Sequence, residues 1–177
     1  HAVILIAIPN PDLCARDVNK SHVINVDSIK NIVDYLLRWD IKPVFTSTES
    51  VFDGDTGYYA ESEPINPIMT YGDQKVEVER YIQEKCDRFI IARLAKVVGD
   101  TLKDGTLFTS WLDQLLNNET IYCAYDQTFS PVHVEDVVNS IIRLIELDCD
   151  GVFHVCSQQP YTRLQLLNLL VSQIKKE

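Results

Sequence analysis

The sequence lacks clustered metal ligands, long hydrophobic runs and an excess of positive charge. Its five cysteines and four histidines are scattered, without a CxxC pair or a paired histidine spacing, so we expect no metal site and no disulfide framework. The net charge of −10 argues against nucleic acid or an anionic membrane as a partner. The apolar run at 2–8 is too short to span a membrane and lacks the flanks of a signal peptide. These absences predict a cytoplasmic chain with reduced thiols.

Segments typical of strands and helices alternate along the chain. Short apolar runs predict strands at 2–8, 42–46, 88–94, 121–124 and 151–155. Apolar residues at helical spacing predict helices at 21–40, 71–85, 107–116, 134–147 and 164–174. This order predicts an α/β fold with a Rossmann-type parallel sheet of right-handed βαβ units. We expect 1–99 with 132–156 to form a partial NAD(P)-binding domain, and 100–131 with 157–177 a partial substrate lobe.

The pentapeptide YGDQK at 71–75 is the most informative motif in the chain. Tyr71 and Lys75 stand four positions apart, which places both on one face of a helix. A phenol ordinarily ionises near pH ~10. A neighbouring ammonium group stabilises the phenolate, so we expect Lys75 to lower the pKa of Tyr71. The pair could then transfer a proton to or from a carbinol while a nicotinamide transfers the hydride.

The surroundings of this motif favour a catalytic role over an ordinary surface pair. The predicted strand at 42–46 is followed by small hydroxyl residues, including Thr48, and then by a loop rich in Gly and Pro. Thr48 is therefore expected at the carboxyl end of a strand, where open α/β sheets keep their sites. Its hydroxyl could hold the substrate oxygen beside the phenol. The alternative is that Tyr71 and Lys75 are a surface pair, because YxxxK also arises by chance.

Several motifs in the expected order resemble the extended short-chain dehydrogenase/reductase family, and its dTDP-4-dehydrorhamnose reductase branch above all. STESVFDG at 47–54 is similar to that branch's STDYVFDG, and YGDQK to its YGxxK. SPVHVEDV at 130–137 resembles the family's PVHVxDV, and GVFHV at 151–155 its corresponding strand. The similarity extends over nearly the whole chain. Further matches are Asn25-Val26, Glu79 and Arg93.

The resemblance implies a role for each matching residue. Tyr71 would be the general acid/base, and Lys75 would lower its pKa and bind the nicotinamide ribose. Thr48 would hold the substrate oxygen. Ala7 and Ile8 would line the cofactor trough at the end of the first strand. The neighbours Glu49 and Ser50 are expected to contact the substrate, although a solvated loop acid is the alternative for Glu49.

Two departures from the family pattern limit what the resemblance implies. The family begins with a GxxGxxG turn that binds the pyrophosphate, whereas the six glycines here are scattered. We therefore expect the chain to correspond to the family from its fourth strand onward and to be a fragment. The dehydratases of the family carry Asp-Glu where Glu49 and Ser50 stand, which argues against dehydration. The choice between NAD and NADP cannot be made from these residues.

Three functions follow as hypotheses. The first is an NAD(P)-dependent oxidoreductase of nucleotide-sugar metabolism that reduces a 4-keto group. The second is a nucleotide-sugar epimerase, which uses the same residues without net cofactor consumption. The third is a non-catalytic regulatory member of the family. The family often pairs the Tyr helix and its predecessor across a two-fold axis, so the resemblance also implies a homodimer.

Overall fold

The protein is described by a computed structural model over residues 1–101 and 104–174. The strands are β1 (Ala2–Ile4), β2 (Pro43–Thr48), β3 (Ile90–Leu94), β4 (Val97–Val98), β5 (Thr128–Phe129), β6 (Val132–His133), β7 (Gly151–Val155) and β8 (Tyr161–Thr162). The α-helices are α1 (Pro11–Arg16), α2 (Val18–His22), α3 (Ser28–Arg38), α4 (Thr70–Lys85), α5 (Leu107–Leu116), α6 (Val134–Glu146) and α7 (Arg163–Ile174). A π-helical turn, Val23–Asp27, joins α2 to α3.

Two compact units make up the chain. The first consists of His1–Leu94 and Ile141–His154, and the second of Ala95–Ser140 and Val155–Glu177. The roles expected for the two parts, cofactor binding and substrate binding, stay predictions. Of the predicted substrate lobe, residues 102–103 and 175–177 lie outside the described part of the chain.

The first unit is built on a four-stranded sheet with the order β1-β2-β3-β7. β2 is parallel to β1, with Val44 opposite Val3, and parallel to β3, with Thr46 opposite Ala92. Every residue of β2 is buried, as expected for a central strand covered on both faces. The helices that follow β1 and β2 pack their apolar faces on this sheet, and Phe45 lies fully buried among their side chains. The predicted Rossmann-type parallel sheet with flanking helices is confirmed.

The predicted first strand is too long. β1 ends at Ile4, and Leu5 and Ile6 are exposed. Where the strand ends, the Ile4 carbonyl accepts a hydrogen bond from the Thr46 hydroxyl at 3.0 Å. Farther along, the Ile8 amide donates to Asn25 Oδ1 at 2.7 Å and the Ile8 carbonyl accepts from Asn25 Nδ2 at 3.2 Å, so a side chain takes the place of a neighbouring strand there.

Helix α1 begins soon after β1, at Pro11. Asn10 caps this helix by accepting the Leu13 amide, and Pro11 occupies its first turn, where a proline is well tolerated. Asp17 caps α2 in the same way, by accepting the amide of Lys20.

The second unit contains two small sheets, one of β4 with β6 and one of β5 with β8. Helices α5 and α7 share an apolar core with them, in which Trp111 is 2% exposed. The strand predicted at 121–124 is not formed. Tyr122 in its centre is 89% exposed, and no described strand pairs with this segment.

Candidate active site

Thr48 is the last residue of β2, as the sequence predicts, and is 8% exposed. Its Oγ1 accepts a hydrogen bond from the Ser50 amide at 3.2 Å, which caps the 3-10 turn Glu49–Val51. Within the described residues, no group accepts a hydrogen bond from the Thr48 hydroxyl. Its proton can therefore be donated to a ligand oxygen. Glu49 and Ser50, which we expected to contact substrate, are half-buried in the same turn.

Gly72 allows α4 to approach this turn closely. A Cβ at position 72 would collide with the Ser50 carbonyl oxygen and would lie 2.9 Å from the Cβ of Pro67. Any larger residue would push the helix and the turn apart, so glycine brings Tyr71 next to the segment that follows Thr48. This role of Gly72 was not predicted from the sequence, although a glycine in the first turn of a helix is a signal of close backbone approach.

Lys75 is buried one helical turn after Tyr71, with only 2% of the residue exposed. Its Nζ donates to the Thr46 carbonyl at 2.8 Å and lies 4.5 Å from the ring centre of Phe45. The same Nζ is 5.7 Å from the ring centre of Tyr71. Burial lowers the pKa of Lys75 to about 8, against the opposing effect of the nearby Glu79 carboxylate. The group is therefore still largely cationic at neutral pH.

Tyr71 does not show the lowered pKa that its sequence context predicts. Burial, with a smaller contribution from Cys14, raises the pKa of Tyr71 to about 12. No lowering by Lys75 offsets this burial; its ammonium group donates to the Thr46 carbonyl and lies 5.7 Å from the ring centre of Tyr71. The phenol is thus fully protonated at neutral pH. None of the described residues forms a hydrogen bond with its hydroxyl.

A buried ion pair lies behind the site. The Arg93 guanidinium donates from Nη2 to Glu79 Oε2 at 2.8 Å and from Nε to Oε1 at 3.1 Å, and Glu79 is 0% exposed. The Ser47 hydroxyl also donates to this carboxylate. Because the three residues belong to α4, β3 and β2, the pair fixes the helix against the strand that ends at Thr48. The Arg93 Nη1 donates to the Glu61 carbonyl at 3.2 Å.

Ala7 and Ile8, predicted to line the cofactor trough, lie beyond the end of β1 and are half-buried. The carbonyl of Ile8 accepts a hydrogen bond from the Cys14 thiol at 3.3 Å. Asn25, which accepts the Ile8 amide, also donates to Gln74 Oε1 at 2.8 Å, next to Lys75 on α4. The structure therefore brings the Ile8 segment near the Tyr-Lys pair, and contact with a cofactor stays a prediction. Among the described residues, no group of three or more His, Cys, Asp or Glu side chains is placed to hold a metal ion.

The fold and this arrangement define the class of the protein. A Rossmann-type sheet carries a threonine at a strand end, and a tyrosine and a lysine project from one face of the next helix, as in the extended short-chain dehydrogenase/reductases. The chain belongs to the RmlD substrate binding domain family, which matches residues 2–177. The resemblance to the dTDP-4-dehydrorhamnose reductase branch is thereby confirmed.

Known proteins similar to this chain include a reductase and a subunit of methionine adenosyltransferase 2. The dTDP-4-dehydrorhamnose reductase of Aggregatibacter actinomycetemcomitans is 27% identical over 142 residues, which cover 79% of this chain and 47% of the reductase. The methionine adenosyltransferase 2 subunit beta of Xenopus laevis is 22% identical over 163 residues, which cover 88% of this chain and 49% of the subunit. The chain thus spans about half the length of the curated relatives it matches.

A solved structure shows the same fold. The crystal structure of the Bacillus anthracis dTDP-4-dehydrorhamnose reductase in complex with NADP superposes with a TM-score of 0.91 at 24% identity. The superposition covers 98% of this chain and 61% of that structure. No helix in the described part of the chain has the length and apolar character needed to cross a membrane.

Proposed function

We propose that this protein is an NAD(P)-dependent oxidoreductase of nucleotide-sugar metabolism, and that it reduces a 4-keto group. The observation that carries the proposal is the pair of hydroxyl groups at Thr48 and Tyr71. Neither donates a hydrogen bond to a described residue, and Gly72 holds their two segments in close approach. Two such donors suit a carbonyl oxygen, which accepts through two lone pairs.

The protonated state of Tyr71 supports reduction. A phenol with a pKa of about 12 carries its proton at neutral pH, so that proton is available when a carbonyl receives a hydride and needs a proton on its oxygen. Thr48 would donate a hydrogen bond to that oxygen, and Tyr71 would give up the proton as the C=O bond becomes C–O–H. The Lys75 ammonium group would stabilise the phenolate left behind. Water then returns the proton to Tyr71.

The donors present fit the ribose end of a nicotinamide cofactor, which would supply the hydride. An ammonium group has three N–H donors, and Lys75 uses one of them on the Thr46 carbonyl. The others are available to ribose hydroxyls, as is the Tyr71 oxygen. The glycine-rich turn that would hold the pyrophosphate does not occur in this sequence, so the described residues account for the nicotinamide end alone.

The proposal is tested with the full-length natural protein, NADPH and a nucleotide-linked 4-keto hexose. We expect the NADPH absorbance to fall with time, and Tyr71→Phe to slow this by about 10²–10⁴-fold. The circular dichroism and unfolding midpoint of Tyr71→Phe should match those of the unmodified protein. Full activity in Tyr71→Phe would contradict the acid role. If two sugars are interconverted without net loss of NADPH, the activity is epimerisation and not reduction.

A second candidate is a non-catalytic regulatory subunit. It is supported by similarity to the methionine adenosyltransferase 2 subunit beta, a protein named as a subunit, which matches 88% of this chain at 22% identity. Titration of the full-length protein with NADPH, followed by fluorescence, separates the two candidates. Absence of binding at millimolar cofactor would support the regulatory function and would exclude the oxidoreductase.

A further inference from the structure

A chain of buried polar side chains connects α4 to the segment around Ile8. Its members are Gln74, Asn25 and Ser21, which are 3%, 0% and 1% exposed. Gln74 Oε1 accepts from Asn25 Nδ2 at 2.8 Å, and Gln74 Nε2 donates to Ser21 Oγ at 2.8 Å. Ser21 Oγ lies 3.2 Å from the carbonyl oxygen of Cys14, to which it donates. Gln74 thus uses both ends of its amide.

The other end of this chain holds the backbone at Ile8. Asn25 accepts the Ile8 amide at 2.7 Å and donates to the Ile8 carbonyl at 3.2 Å. Asn25 reaches this position because it lies inward in the π-helical turn Val23–Asp27. Such turns are rare and frequently mark functional sites.

Burying amides in this way has a cost that packing alone would avoid. An apolar residue at position 74 would fill the same space without needing partners, whereas a buried amide is tolerated only if it is fully hydrogen-bonded. Gln74 immediately precedes Lys75 and belongs to the same helical turn as Tyr71. Its partners therefore link the helix that carries both groups to the backbone of Ile8.

We infer that Gln74 is a positioning residue: through Asn25 it fixes the spacing between the Ile8 backbone and the Tyr71–Lys75 face of α4. The inference rests on the proposed function, in which the Ile8 segment lines the cofactor trough. A cofactor held between the two elements would meet Tyr71 and Lys75 correctly only while this spacing is constant. Gln74 itself does not contact the reacting atoms.

The test compares Gln74→Met with Gln83→Met in the full-length natural protein. Methionine has a volume close to that of glutamine but cannot replace its hydrogen bonds, and Gln83 is an exposed residue of the same helix. We expect Gln74→Met to accelerate hydrogen exchange at the Ile8 amide by about tenfold, which corresponds to the free energy of one buried hydrogen bond. It should also raise KM for NADPH by about tenfold, with a smaller change in KM for the sugar. Gln83→Met should change neither.

Ser21→Ala provides a second, milder variant if Gln74→Met does not fold. It removes the hydroxyl that accepts a hydrogen bond from Gln74 Nε2. Hydrogen exchange at Ile8 and KM for NADPH should therefore change in the same direction as in Gln74→Met. Ile8 exchange and cofactor KM that match the Gln83→Met control in both variants would overturn the inference. If the unmodified protein neither binds nor oxidises NADPH, the proposed function fails. The exchange measurement then still decides whether Gln74 holds Ile8.

Discussion

Replacing Gly72 by Ala tests the close contact on which the site depends. The added Cβ would lie 2.9 Å from Pro67 Cβ and 3.2 Å from the Ser50 carbonyl carbon. Ordinary contacts between carbon atoms are about 3.5–4.0 Å, so helix and turn must separate by about 0.6–1 Å. Overpacking of this kind costs about 1–3 kcal/mol, while alanine in a helix regains about 1 kcal/mol relative to glycine.

The net change expected for Gly72→Ala is therefore a loss of stability of about 0–2 kcal/mol. The effect on turnover should be larger than this, because a displacement of about 1 Å between reacting groups can reduce the rate about 10²-fold. Urea denaturation measures the first quantity, and NADPH oxidation with a nucleotide-linked 4-keto sugar measures the second.

Gln83→Ala serves as the matched control, since it introduces alanine at an exposed position of the same helix. It should leave turnover unchanged. If Gly72→Ala proved more stable than the unmodified protein and equally active, helix propensity would be the dominant effect. The argument that Gly72 brings Tyr71 to the Thr48 turn would then be refuted.

Two further predictions concern the buried charges. Folding lowers the pKa of Lys75 from 10.5 to about 8, so the unfolded chain binds more protons than the folded one between these values, and stability should rise with pH in that window. Lys75→Met should abolish this rise, stabilise the protein at neutral pH by about 1–3 kcal/mol and remove activity. If the urea midpoints of Lys75→Met and of the unmodified protein are the same across the pH range, this prediction is contradicted. Glu79→Gln leaves the Arg93 charge buried without its counterion and should cost about 3–5 kcal/mol in urea denaturation. The exposed Glu84→Gln on the same helix should cost less than about 0.5 kcal/mol, and equal losses would refute the importance of the pair.

Helices and strands with a clear pattern of apolar residues, which pack against a buried core, could be predicted from the sequence. Helix α5 and strand β7 have the predicted bounds. Strand β2 begins one residue after the predicted strand at 42–46 and ends two residues after it, at Thr48. Strands of two residues, such as β4 and β6, are too short to show any periodicity. Their existence depends on which segment lies opposite, and a local pattern does not contain that information.

The positions of Thr48, Tyr71 and Lys75 in the fold could be predicted from the sequence, but the electrostatics around them could not. The spacing of Tyr71 and Lys75 fixes their shared helix face, and the structure places them there. The direction of the Tyr71 pKa shift depends on burial by distant parts of the chain, which spacing cannot give. The same holds for Gln74, because nothing in its neighbourhood in the sequence indicates that Ser21 and Asn25 will surround it.

The side chain of Asn25 imitates a peptide group: its oxygen and nitrogen pair with Ile8 as a neighbouring strand would. The backbone that follows β1 is consequently held at Ile8 by an amide from a distant part of the sequence, together with the Cys14 thiol. Residues between Ile4 and Ile8 can vary in character, as the exposed Leu5 and Ile6 suggest, without moving the point at which the backbone returns to the protein interior. Replacing Asn25 by Asp would keep an acceptor for the Ile8 amide but remove one donor to the Ile8 carbonyl, so half of this pairing would be lost.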